Sequence, residues 1–170
     1  MRELVLLRHG KSDWSNDCSD FDRPLSSRGQ RDAARIGRWL RDQSLLPDII
    51  FSSPARRAAQ TAKVVCASAG LEAADIVCVE RLYLASLGTL LDFVRAVPAE
   101  HRRILLIGHN PGLEDLVEHL SEAAEHHRRQ GKLLATAALA CVALNDDWSK
   151  VGRDSAELRQ IVRPHALDDA

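Results

Sequence analysis

Three segments of this chain carry residue types suited to holding an oxyanion. Arg8-His9-Gly10 follows the apolar run Leu4-Val5-Leu6-Leu7. Ser52-Ser53-Pro54-Ala55-Arg56-Arg57 follows Asp48-Ile49-Ile50-Phe51, and Gly108-His109-Asn110-Pro111-Gly112 follows Ile104-Leu105-Leu106-Ile107. An arginine guanidinium presents paired N–H donors to phosphate oxygens and stays charged at any relevant pH. A neutral imidazole is nucleophilic near pH 7 and needs little beyond orientation. A single His at a strand end is more often a hydrogen-bonded structural residue than a catalyst. Two His and at least two Arg delivered from three strand ends point instead to an oxyanion or phosphate site with a candidate His nucleophile.

The elements that must position these residues are legible in outline. Short unbroken apolar runs suggest strands buried on both faces, as in a parallel sheet. Asp75–Val79 and Leu139–Leu144 are further strand candidates, and Glu157–Val162 is a weaker alternating one. Helical spacing lies between them. Ser27 with Gln30 resembles a capping box, followed by Ala33, Ile36 and Leu40 on one face. Pro54 at a first helical position precedes Ala58, Ala62, Val65 and Ala69. Ser86 caps a helix carrying Leu87, Leu90, Leu91 and Val94; Asn110, with Pro111 after it, caps one carrying Leu113, Leu116, Val117 and Leu120. Strands alternating with helices predict a three-layer α/β/α sandwich with a mostly parallel central sheet, in one domain over residues 1–170. Ligands in such sheets bind beyond the carboxyl ends of the strands, where helix N-termini also favour anions. Ser121–Lys132 reads as a loop or frayed helix and Pro164–Ala170 as a mobile tail. Arg8 and His9 are consecutive, so their side chains reach one site only if the backbone turns at His9, with Gly10 permitting it.

The bulk composition excludes several classes. The 170 residues carry 23 Lys+Arg against 24 Asp+Glu, a formal charge of −1, which gives no general attraction to nucleic acid. Seven aromatic residues leave few platforms for stacking bases. No apolar run approaches the length of a membrane span, and the N-terminus lacks the pattern of a signal peptide. Four scattered cysteines form no CxxC pair, which fits a reducing, cytoplasmic setting. His119, His126 and His127 lack zinc-type spacing. Nineteen of the 23 basic residues are Arg, a bias that base composition explains for most of them.

The motifs also carry a family resemblance. Leu6-Leu7-Arg8-His9-Gly10-Lys11-Ser12 resembles the Arg-His-Gly signature of the histidine phosphatase superfamily, which includes the cofactor-dependent phosphoglycerate mutases. Ser53-Pro54-Ala55-Arg56-Arg57-Ala58-Ala59-Gln60-Thr61-Ala62 is similar to its second motif, Ser-Pro-x-x-Arg-Ala-x-Gln-Thr, and Gly108–Gly112 to its third. Asp22–Gly29 and Leu82–Ser86 are similar to the short branch that holds SixA-type protein phosphohistidine phosphatases. The resemblance implies a phosphoglycerate mutase-like fold and a phosphatase that uses neither metal nor cofactor. It makes His9 the nucleophile of a phosphohistidine intermediate, with Arg8 and Arg57 clamping the phosphoryl oxygens and His109 completing the pocket. The motif spacing selects Arg57 and leaves Arg56 as a solvated neighbour. Ser15 stands where the mutases usually carry a phosphate-contacting Asn.

The proton donor is less determined. Glu80, after the fourth strand, is the first candidate and Asp13 the second. The resemblance also allows for none, because a phosphohistidine leaves as an imidazole that can itself carry a proton, whereas an ester leaves as an alkoxide. Short gaps after Ser15 and Tyr83 imply an open pocket and favour phosphatase over mutase. The expected partner is a phosphorylated protein, a histidine phosphotransfer or phosphocarrier domain. A small phosphorylated metabolite is the alternative substrate, and a non-catalytic phosphate-binding module the remaining one. No nucleic acid or membrane partner is expected, and without sustained heptads the chain reads as a monomer.

Overall fold

A computed structural model describes residues 1–129 and 131–167. Its centre is a six-stranded sheet of β1 (Arg2–Arg8), β2 (Ile49–Ser52), β3 (Ile76–Cys78), β4 (Arg103–Gly108), β5 (Leu139–Leu144) and β6 (Ala156–Val162). The spatial order is β3-β2-β4-β1-β5-β6. The first four of these run parallel, β5 is antiparallel to β1, and β6 is antiparallel to β5. The three-layer sandwich read from the sequence is the fold. Side chains alternate across the sheet. Val5, Leu7, Ile50, Leu105 and Ile107 face α1 (Ser27–Asp42) and α2 (Arg56–Ala69), through Ala33, Ile36, Leu40, Ala58, Ala62 and Val65. Leu4, Leu6, Phe51, Ile104 and Leu106 face the other layer of α3 (Leu87–Arg95), α4 (Gly112–Leu120) and α5 (Glu122–Arg129). The segment Ser121–Lys132, read as a loop or frayed helix, is helical over Glu122–Arg129. Buried Ala124 anchors that helix to the α3–α4 face. Among the described residues no helix is long and apolar enough to cross a membrane.

Three helix starts differ from their sequence reading. The cap of α1 is Ser26, whose Oγ accepts from the Gly29 N–H at 3.0 Å; Ser27 is already inside the helix. Ser26 Oγ also donates to the Lys11 carbonyl at 2.9 Å, a tertiary contact that selects it over its neighbour. Pro54 precedes α2 by two residues, and Ala55 occupies the cap. The α4 cap is Pro111, joined to Asn110 by a cis peptide bond; the Asn110 amide turns away and donates to the Leu134 carbonyl at 2.8 Å. Edge strand β3 is largely exposed rather than buried on both faces, because no helix covers it fully. The tail is a 3-10 turn over Pro164–Ala166 with Pro164 buried and Leu167 packed at the α1 side of the core; residues 168–170 of the tail expected to be mobile lie outside the described residues.

Sheet register brings the motifs together. Arg8 pairs with Gly108 and Ser52 with Ile107, so β1, β4 and β2 end side by side. The chain continues in step: His9 N–H donates to the Gly108 carbonyl at 3.1 Å, and Ser53 N–H to the Ile107 carbonyl at 3.0 Å.

Candidate functional site

Beyond those strand ends lies a cleft of about 220 Å³. Arg8, His9, Arg57 and His109 all line it, with Lys11, Ser12, Arg23 and Asn110 around them. The four residues that the sequence assigned to one site are thus in one site. His9, Arg57 and His109 are almost fully buried, at 7, 2 and 4% exposure.

Gly10 makes this approach feasible, though not by adopting a left-handed turn. A Cβ there would stand 2.9 Å from the Gly29 carbonyl oxygen and 3.0 Å from a Leu25 methyl carbon. The start of α1 lies directly against the loop, and only a glycine leaves room. The Gly10 N–H donates to Thr61 Oγ1 at 3.0 Å, and the Thr61 hydroxyl donates to the Arg57 carbonyl at 2.7 Å. That link ties the His9 loop to the first turns of α2, where Arg57 resides.

Hydrogen-bond chemistry sets both tautomers. His9 Nδ1 is 2.7 Å from the Gly10 carbonyl, which can only accept, so Nδ1 carries the proton. Arg57 Nε, which can only donate, approaches His9 Nε2 at 3.3 Å. The Nε2 lone pair therefore faces the cleft side occupied by Arg57. Arg57 Nη2 is 3.4 Å from His109 Nδ1, so that nitrogen accepts, and His109 Nε2 donates to Ser53 Oγ at 2.7 Å. Both rings are neutral. Burial, His109 and the guanidiniums of Arg57 and Arg8 press His9 down to about 3. Burial and the same arginines press His109 down to about 4. The two ring centroids are 5.2 Å apart.

Arg8 reaches the cleft from the last position of β1. Its Nη1 donates to the Leu134 carbonyl at 3.3 Å, while its buried Nε has no protein acceptor. A buried guanidinium with an unused N–H in a cationic cleft suits an anion. Burial lowers its pKa, as expected for a cation drawn from water.

Arg57 and Arg23 are held by a residue that the sequence reading did not single out. The Asp20 backbone carbonyl accepts from Arg57 Nη1 at 2.6 Å and its carboxylate from Arg57 Nη2 at 3.1 Å. The same carboxylate accepts from Arg23 Nη1 at 2.8 Å and from the Tyr83 hydroxyl at 2.5 Å. These bonds hold Asp20 down to about 2, with Tyr83 the largest influence, and push the Tyr83 phenol up. Arg23 Nε also donates to Ser12 Oγ at 2.9 Å, and the guanidinium lies over the Trp14 ring at 3.6 Å. Asp20, Arg23 and Trp14 sit in the irregular segment between β1 and α1, where no periodicity marks which residues turn inward. Arg23 lies in the Asp22–Gly29 segment that resembles the SixA branch, but that resemblance gave it no role.

The remaining candidates stand apart from the cleft. Glu80 is exposed on a 3-10 turn over Glu80–Leu82, and is not among the lining residues. Ser15 is exposed and spends its hydroxyl on the Asp13 carboxylate at 2.6 Å. Asp13 is held low by those Ser15 bonds and likewise does not line the cleft. Arg56 is exposed. Among the described residues no Asp or Glu is in the cleft lining; the Asp20 carboxylate bonds to Tyr83 and to the lining Arg57 and Arg23, which help keep it ionised.

Comparison with known proteins places the chain in a family. Residues 4–90 match the histidine phosphatase superfamily (branch 1), and the chain belongs to that family. An uncharacterised protein of Mycobacterium tuberculosis is 32% identical over 157 residues, 89% of this chain and 96% of that one. A candidate phosphohistidine phosphatase SixA from Nakamurella multipartitia superposes with a TM-score of 0.81 at 27% identity, covering 96% of each chain. A second candidate SixA, from Agrobacterium tumefaciens, gives 0.80 at 28% identity over 96% of this chain and 98% of that one. The phosphoglycerate mutase-like fold and the phosphatase class expected from the motifs are therefore those of the protein, and its near structural neighbours are of the SixA type.

Proposed function

We propose that this phosphatase removes the phosphoryl group from phosphohistidine on proteins, by way of a covalent intermediate on His9. The observation that carries the reading is the composition of the cleft: a neutral nucleophilic imidazole among arginines, with no lining carboxylic acid. An alkyl phosphate leaves as an alkoxide and needs a proton from such an acid. The leaving imidazole of phosphohistidine takes its proton on nitrogen, so a donor is dispensable. His9 Nε2 attacks phosphorus as the substrate's P–N bond breaks. The substrate ring, protonated from solvent on its other nitrogen before the bond breaks, departs as neutral imidazole with the electron pair of that bond. Water then attacks the phosphoryl group on His9, releasing inorganic phosphate and restoring the neutral ring. Arg8 and Arg57 balance charge on the equatorial oxygens throughout, and His109 helps orient Arg57 through its contact with Nη2. Arg23 is positioned to extend that clamp.

The test is a substrate comparison with His9→Ala as control. Hydrolysis of phosphohistidine with a kcat/KM about a hundredfold above that of an alkyl phosphomonoester is expected, equivalent to nearly 3 kcal/mol in the transition state. Preference for the ester, or full activity in His9→Ala, would contradict the reading.

A further inference from the structure

The cleft floor takes one phosphoryl group, and the mouth around it has a different chemistry. Among the described residues five large apolar side chains stand exposed, and three of them gather here. Trp14, 71% exposed, and Leu84, 56% exposed, both reach the cleft; Phe21, 39% exposed, packs edge-on against Tyr83 with centroids 5.1 Å apart. The Tyr83 ring in turn meets His109 at 5.6 Å, so the apolar rim is continuous with the phosphoryl site. Two members of the rim are fixed in place. Trp14 lies against the Arg23 guanidinium. Leu84 is held at φ +48°, a left-handed conformation that glycine or asparagine adopts at lower cost. A turn on the surface gains nothing from leucine there unless the side chain is used. Exposed apolar residues clustered around a polar centre mark an interaction surface. A small sugar or amino-acid phosphate is polar throughout and leaves such a rim in water.

We propose that Trp14, Phe21 and Leu84 form a docking collar for the folded protein that bears the phosphohistidine, packing on apolar side chains beside that residue. The inference rests on the phosphohistidine reading above and adds the surface that selects a protein over a small molecule. Charge complementarity fixes the orientation: the anionic phosphoryl group seeks the cationic floor around Arg8 and Arg57, and the protein surface next to it then meets the collar.

The experiment compares one bond on two bodies. A histidine phosphotransfer domain, phosphorylated with phosphoramidate, is set against free phosphohistidine for the wild type, Leu84→Asn and Phe21→Ser; Asn removes the apolar surface without adding a charge beside the phosphoryl site. Asn tolerates the left-handed conformation at 84, and both side chains lie on the surface, so the fold is expected to survive, which circular dichroism of each variant checks. Trp14→Ala also removes the packing on Arg23, so the other two positions carry the test. The wild type is expected to favour the phosphorylated domain by at least about tenfold in kcat/KM. Each variant is expected to lose about tenfold on the domain, mainly through KM, with less than about twofold change on free phosphohistidine and in vanadate inhibition. Equal changes on both substrates, no change on the domain, altered vanadate inhibition in both variants, or no wild-type preference would each overturn the collar. Hydrolysis of neither substrate would remove the phosphohistidine reading and the collar with it.

Discussion

Two histidines share one arginine, and that sharing decides their protonation. Arg57 can only donate, so the nitrogens that face it, His9 Nε2 and His109 Nδ1, are acceptors. The chemistry of the proposed nucleophile therefore does not wait for an ordinary histidine to titrate. Once the substrate's own ionisation is accounted for, kcat/KM is expected to stay level from about pH 8 down to about pH 5, since His9 protonates only near 3 and His109 near 4. An acidic limb centred at the unperturbed value of 6.5 would show that His9 is not held this way. Asp20 acts one step back. Asp20→Asn keeps the backbone carbonyl that holds Arg57 but loses the charged contacts to Arg57, Arg23 and Tyr83. Vanadate inhibition is expected to weaken about tenfold, the scale of one charge-assisted hydrogen bond; an unchanged inhibition constant would mean the arginines need no such tether. Glu80→Gln is expected to leave turnover of phosphohistidine within about twofold, because Glu80 lies outside the cleft.

At the scale of elements, the site exists because parallel strands end together. Their unbroken apolar runs made β1, β2 and β4 legible, and whatever follows a strand end in such a sheet lands on one rim. That is why two His and at least two Arg could be gathered at one rim from the sequence, while the family motif was needed to select Arg57 over Arg56. Ser86 caps α3 as read from the sequence, whereas three other helix starts were off by a residue or two, two of them for tertiary reasons. Ser26 was selected over Ser27 by the Lys11 carbonyl, and Asn110 was drawn from its helix by Leu134. Asp20 and Tyr83 were missed because their partnership spans 63 residues and two irregular segments. Gly10 was noticed for the wrong property. Its backbone needs no left-handed turn; its missing side chain lets α1 approach. Gly10→Ala is thus expected to lower stability by about 1–3 kcal/mol through overpacking, read by denaturant unfolding. Loss of activity should exceed what that fraction unfolded explains, because the His9 loop moves with the clash. A variant as stable as the wild type would contradict the tight contact.

For the whole molecule, burial of two neutral imidazoles links folding to pH. The unfolded chain binds protons near 6.5, whereas the folded one waits until about 4 for His109 and about 3 for His9. Between those limits the unfolded state holds more protons, so stability is full above about 6.5 and falls as pH falls. The unfolding midpoint is expected to drop between pH 7 and pH 5, and to drop less in His9→Gln; an identical slope in both proteins would place the acid sensitivity elsewhere. His9 is also the residue on which the proposed covalent intermediate forms. Phosphohistidine mixed with enzyme and quenched within milliseconds, then digested under alkaline conditions, should yield a peptide with one phosphoryl group on His9, absent from the His9→Ala protein. Turnover that continues with no phosphoryl group ever found on His9, or with His9 replaced, would contradict it.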